Sequence, residues 1–157
     1  MAVMGPFTQY LYHGDGLLEW PQQPPKHFAR VGVIAYETAI NGVYQFIDEL
    51  VRRESDHTAV DLLWMGSAPE DFYFDRELRA MAKQHPDKLR FNEMLYAERE
   101  GWMGPVGKVT AEVVRRFMPP PGEDTCIILI SGPDEFAAIG GLMRDMHYSH
   151  FIPPVLA

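Results

Sequence analysis

Val31-Gly32-Val33-Ile34-Ala35, running directly into Tyr36-Glu37-Thr38-Ala39-Ile40-Asn41-Gly42, is the stretch on which the fold turns. Its first five residues are apolar or small with no polar alternation, the pattern of a strand covered on both faces. After the loop, Val43, Phe46, Ile47, Leu50 and Val51 recur at helical spacing. A buried strand that passes through a short loop into an amphipathic helix is half of a crossover unit, and the helix returns the chain to a parallel neighbour.

The unit repeats toward the C-terminus. Ala59-Val60-Asp61-Leu62-Leu63-Trp64-Met65 predicts a second strand, 72–84 a helix and 89–96 a third strand. A short helix at 111–118 stops at Pro119-Pro120-Pro121. Cys126-Ile127-Ile128-Leu129-Ile130 predicts a fourth strand, and 135–146 a helix with Phe136, Ile139, Leu142 and Met143 on one face. The expected class is α/β, an open, parallel, Rossmann-like sheet of about five strands with helices on both faces. Toward the N-terminus, Phe7-Thr8-Gln9-Tyr10-Leu11-Tyr12 alternates and then meets His13-Gly14-Asp15-Gly16, a strand entering a tight turn. The proline-rich stretch at 21–26 reads as a linker, dividing the chain into a leading segment, 1–28, and a main domain, 29–157. Open parallel sheets bind ligands outside the carboxyl ends of their strands, which nominates the loops at 36–42, 65–71 and 131–136. Ordinary connecting loops are the competing reading, and composition does not separate the two.

A chain of 157 residues supports one core. Its formal charge of -8 argues against nucleic-acid and anionic-membrane partners, whose affinity depends on clustered Lys and Arg. No run approaches the roughly 18 apolar residues of a membrane span, and no secretory leader pattern opens the sequence. The single cysteine, Cys126, excludes an intrachain disulfide and reads as a buried strand residue, so a soluble, cytoplasmic protein is expected. His13, His27, His57, His85, His147 and His150 show no zinc-like pairing, and neither a Gly-x-Ser-x-Gly nor a Walker loop occurs, so no metal site is assigned.

Four stretches, in order along the chain, resemble the NADH-binding module of cytochrome b5 reductases and the wider ferredoxin reductase-like family. Gly5-Pro6 through Gly14-Asp15-Gly16 is similar to the end of that family's flavin domain, and Val31-Gly32-Val33-Ile34-Ala35 to the strand before its pyrophosphate loop. Gly107-Lys108-Val109-Thr110 with Met118-Pro119-Pro120-Pro121 resembles the family's Gly-x-Val-(Thr/Asn) helix ending in Leu-Pro-Pro-Pro. Ser131-Gly132-Pro133 matches its Cys-Gly-Pro element beside the nicotinamide. The resemblance implies an NADH:flavin oxidoreductase whose flavin domain, with its Arg-x-Tyr-(Ser/Thr) motif, is almost wholly absent from this sequence. FAD is then expected only if a separate flavin domain is supplied. Such a domain, or a redox partner protein, is the expected partner, because cofactors and not side chains carry hydride.

The departures concentrate at the loops. Where the family has Gly-Gly-Thr-Gly-Ile-Thr-Pro, this chain has Tyr36-Glu37-Thr38-Ala39-Ile40-Asn41-Gly42, losing glycines that let backbone N–H groups approach a pyrophosphate. Glu37 adds a negative charge there, so NADH binding is expected to be weak or lost. Within the loop the resemblance assigns cofactor contacts to Thr38, Ala39 and Ile40, with a helix cap as the commoner role for Thr38. Gly66 and Ser67 fall beside the adenosine ribose, and the lack of Arg or Lys from 63 to 74 favours NADH over NADPH. Glu98 stands at a family-like acidic position facing that ribose, with a solvated loop carboxylate as the competing reading. Ser131 takes the catalytic cysteine's place, bordered by Gly132, Pro133 and Phe136. Pro153 and Pro154 argue against a family-like last strand. A degenerate module kept for protein association or regulation is the alternative reading of these departures.

Overall fold

The apolar run at 31–35 lies at the centre of a parallel sheet, where both of its faces are covered. The computed structural model describes residues 3–4, 11–20, 24–130 and 133–152, of which 3–4, 129–130, 133–137 and 152 are described as backbone alone. Four short strands come first: β1 (Val3–Met4), β2 (Leu11–Tyr12), β3 (Leu17–Glu19) and β4 (Lys26–His27), antiparallel in chain order. Then follow β5 (Arg30–Tyr36), a 3-10 turn at Glu37–Ala39, α1 (Ile40–Arg52), β6 (Ala59–Gly66), a second 3-10 turn at Pro69–Asp71, α2 (Asp75–Gln84) and β7 (Leu89–Leu95). The chain ends through α3 (Ala111–Phe117), β8 (Thr125–Ile130), α4 (Pro133–Asp145) and β9 (Phe151–Ile152).

The second sheet has the order β7-β6-β5-β8-β9 and is parallel throughout. Alternation along its strands sorts the core into two layers. Val31, Val33, Leu62, Trp64 and Ile128 face one side, where Val43, Phe46, Ile47 and Leu50 of α1 pack. Ile34, Tyr36, Leu63, Met65 and Ile127 face the other, under Val114 and Phe117 of α3 and Ile139 and Met143 of α4. Each such aliphatic or aromatic side chain contributes about 1.5–3 kcal/mol on burial. Gly32 is required for the second layer to close: a Cβ there would lie 2.6 Å from Ile127 Cδ1, 2.8 Å from Met118 Sδ and 2.9 Å from Pro119 Cδ. Cys126 is fully buried, as its sequence context suggests, and burial pushes its thiol far above the ordinary range.

Three expectations change. The helix placed at 72–84 begins at Asp75, because Phe72 is drawn into the core, its ring edge-on to Trp64 at 5.1 Å. The linker reading of 21–26 gives way at its end to β4, which pairs with β3 and brings the fully buried Leu18 inward. The last strand forms, two residues long and parallel to β8; Pro153 and Pro154 lie outside the described residues, as do Phe7 to Tyr10 of the expected first strand.

Buried polar chemistry ties the leading hairpin to the main domain. Tyr12, fully buried against Phe46, donates its hydroxyl to the Asp56 carboxylate and accepts from Gly16 N at 3.0 Å. Asp56 also accepts from Thr58 N at 3.0 Å and Asp15 N at 3.1 Å, so the buried carboxylate has three donors. Burial, reinforced by Asp56, keeps the Tyr12 phenol protonated.

Candidate functional site

Strand order creates a crevice. From β5 the chain crosses through α1 to β6 on one side, and later through α3 from β7 to β8 on the other, so the crossovers diverge between the carboxyl ends of β5 and β8. Beside it, on the α3 and α4 face, a cavity of about 410 Å³ is lined by Tyr36, Met65, Tyr96, Lys108, Val109, Ala138 and Ile139. Its volume falls in the range of about 300–1,000 Å³ usual for small-molecule sites. Tyr36 and Met65 are register partners at the ends of adjacent strands and so present side chains to one face. The rings of Tyr36 and Tyr96 lie nearly parallel, 16° apart with centroids at 6.3 Å. Gly107 N donates to Leu95 O at 2.8 Å, clamping the 105–110 loop against β7 and bringing Lys108 and Val109 to the cavity. Thr110 then caps α3, accepting from Val113 N at 3.4 Å. An apolar floor and two aromatic walls suit a planar ring, and the exposed ammonium group of Lys108 suits an anionic group attached to it.

The loop after β5 is held by its neighbour. Tyr36 is extended (φ -106, ψ 120), whereas Glu37 has φ +53, a left-handed conformation that glycine adopts without strain. The Trp64 indole N–H donates to Glu37 O at 2.9 Å and fixes this turn. Thr38 lies exposed inside the turn. The capping role expected for it is not formed: neither the turn nor α1 has a side-chain cap. Ala39 is half-buried against the core and Ile40 fully buried, and the Ile40 backbone N–H turns back to Glu37 O, so Ile40 offers a ligand neither side chain nor free donor.

At the end of β6, Gly66 pairs with Leu95. Ser67 N and Ala68 N both donate to Asp71 Oδ2, at 2.9 and 3.0 Å, so this pair of donors, the kind that cradles an anion, is filled by the chain's own carboxylate. The Ser67 hydroxyl lies 3.4 Å from Glu37 Oε1. Glu98 is exposed and lines a different cavity with Arg99, Glu100, Trp102, Gly104 and Val106, leaving Tyr96 as the residue after β7 that meets the tyrosine cavity. Arg99 donates to Ser67 O at 3.3 Å, so a basic group reaches the second loop from another strand's connection, which a scan of residues 63–74 cannot reveal. Ser131 and Gly132 lie outside the described residues; Pro133 and Phe136 fall in the opening turns of α4. Sequence reasoning overlooked Tyr96 and Lys108, although Lys108 sits within the Gly107-Lys108-Val109-Thr110 motif.

Comparison with known proteins agrees with this fold. The family described as oxidoreductase NAD-binding domain matches residues 33–140. NADH-cytochrome b5 reductase 2 of Homo sapiens is 33% identical over 134 residues, covering 82% of this chain and 48% of the relative. NADH-cytochrome b5 reductase 1 of Lodderomyces elongisporus is 34% identical over 109 residues, covering 69% and 36%. The chain thus spans less than half the length of these relatives. The cytochrome b5 reductase domain of Ulva prolifera nitrate reductase superposes with a TM-score of 0.82 at 23% identity, over 90% of this chain and 53% of that one, which shows the shared fold. The chain belongs to the oxidoreductase NAD-binding domain family and is a cytochrome b5 reductase-like member of it.

Proposed function

We propose that this chain is the nucleotide-binding half of an NADH-dependent flavin oxidoreductase and that it transfers no hydride by itself. The observation that carries the reading is the tyrosine-walled cavity at the carboxyl ends of β5, β6 and β7, next to the crevice between β5 and β8. Tyr36 and Tyr96 would hold the adenine, and the backbone of Thr38 and Ala39 before α1, with Ile40 packed behind them, would face the pyrophosphate. Gly66 and Ser67 border the ribose, while Ser131, Gly132, Pro133 and Phe136 are assigned to the nicotinamide end by their match to the family element. A flavin on a separate domain would supply the hydride acceptor; this chain's part is to bind and orient the nicotinamide. Residues 1–28 are read as the end of such a flavin domain, a reading supported by the change from antiparallel to parallel strands at residue 30.

The site fits the adenosine end better than the pyrophosphate. Glu37 adds negative charge at the loop, and in the second loop Asp71 already fills the paired N–H donors. Dinucleotide affinity is therefore weakened, and these same two carboxylates favour a second reading, a non-catalytic module retained for protein association. Titration of the 15N-labelled chain with NADH separates the two. The first reading expects saturable shifts around Tyr96, Lys108 and Val109, with Tyr96→Ala weakening binding about tenfold, the loss of one base-stacking contact. No shift at these residues at millimolar NADH would leave only the second.

A further inference from the structure

Glu37 occupies the place of a ribose-reading acid although it comes from the wrong loop. In dinucleotide-binding sheets a carboxylate near the end of the second strand accepts the ribose hydroxyls. Here the second strand, β6, ends at Gly66, and the first side chain beyond it is Ser67. The left-handed backbone of Glu37 and the Trp64 indole bond to its carbonyl fix the turn, and the Glu37 carboxylate extends to within 3.4 Å of the Ser67 hydroxyl. Asp71 is committed to Ser67 N and Ala68 N, so its carboxylate is engaged in the loop. Arg99, the cation at this spot, directs a guanidinium N–H to Ser67 O and is flanked by Glu98 and Glu100.

We infer that Glu37, beside Ser67, reads the unphosphorylated 2′-hydroxyl of the adenosine ribose and rejects a 2′-phosphate, making the site selective for NADH-type over NADPH-type nucleotides. This rests on the nucleotide-binding reading above. A carboxylate accepts a hydroxyl proton in a charge-assisted hydrogen bond, whereas a phosphate on the same oxygen brings a second anion to the same place. The residue that weakens pyrophosphate binding by its charge therefore supplies the selectivity among nucleotides that bind. Arg99 does not reverse this preference, since it lies within an acidic run and already donates to the loop.

The test uses three ligands that differ only at the 2′ position: AMP, 2′-deoxy-AMP and adenosine 2′,5′-bisphosphate, each titrated to millimolar concentration against the 15N-labelled chain. Ratios of dissociation constants cancel any effect of Glu37 that is common to all three. The parent chain is expected to prefer AMP over the bisphosphate by about tenfold or more, from like-charge repulsion at close range. It should prefer AMP over 2′-deoxy-AMP by about tenfold, the loss of one hydrogen bond to a charged group. Glu37→Gln should bring the bisphosphate to within about threefold of AMP by removing that repulsion, while Glu54→Gln, a distant exposed charge change, leaves the ratio as in the parent. Binding of AMP with a ratio that Glu37→Gln leaves unchanged overturns the assignment of Glu37 but not the nucleotide site. A parent that prefers the bisphosphate overturns it in favour of Arg99. No binding by any of the three overturns the nucleotide reading and this inference together.

Discussion

At Glu37, φ is +53 and the side chain is exposed, so a β-carbon sits where only glycine is free of strain. Tyr36 and Ala39, where the family also has glycine, have ordinary extended and helical angles, and Tyr36 is buried against the second core layer. The three positions therefore respond differently. Glu37→Gly is expected to stabilise the fold by about 0.5–1 kcal/mol through release of left-handed strain. Tyr36→Gly is expected to cost about 3–5 kcal/mol through loss of a buried aromatic, and Ala39→Gly, at the N-cap of α1 where glycine is preferred over alanine, to change stability by no more than about 0.5 kcal/mol. Urea unfolding of the three variants checks this, and a lowered midpoint for Glu37→Gly would show that the turn conformation is wrongly assigned.

Among the elements, α2 rests on β7 over a buried acid. Glu93 receives Arg79 Nη2 at 2.7 Å on one oxygen, while the other, Oε2, is buried and as a carboxylate has no hydrogen-bond partner among the described residues. As the neutral acid, that oxygen can donate to Asp75 at the start of α2. Burial first, and then Asp75, raise the Glu93 pKa to about 8, with Arg79 opposing. The sign follows from proton counts. Between the ordinary carboxyl value and about 8 the folded chain holds a proton at Glu93 that the unfolded chain has lost, so stability falls as pH rises through that window. The slope is at most about 1.4 kcal/mol per pH unit. Glu93→Gln keeps the shape and removes the titration, so it should be more stable than the parent at pH 8 and lose little of that stability between pH 5 and 8. Parallel pH profiles for parent and variant in urea would mean that Glu93 is ionised in the fold.

For the whole molecule, hydride transfer from a nicotinamide held at the crevice of the parallel sheet, as proposed above, needs an acceptor that amino-acid side chains do not provide. The purified chain is expected to be colourless and to show no NADH-dependent reduction of ferricyanide, with or without free FAD. Addition of a flavin domain from a cytochrome b5 reductase-like protein is the complementary arm, and activity there would support the half-enzyme reading. A flavin absorption spectrum in the purified chain, or turnover by the chain alone, would overturn it.

The sequence by itself determined the parallel α/β class, because unbroken apolar strands alternating with amphipathic helices bury both faces of a sheet in only a few ways, and Val31 to Ala35 with Val43 to Val51 state that pattern locally. It also located the loops at strand ends, since those follow from strand order. What only the tertiary structure decided depends on residues distant in sequence. Trp64 fixes the Glu37 turn, Asp71 fills the second loop's donors, Arg99 reaches Ser67 from 32 positions away, and Tyr96 meets Tyr36 across three strands. Glu37 in the sequence is a charge opposing phosphate. Its left-handed backbone, held by the Trp64 indole bond to its carbonyl, accompanies a carboxylate that lies beside Ser67, and a backbone angle of that kind is set by packing rather than by the residue's own preference.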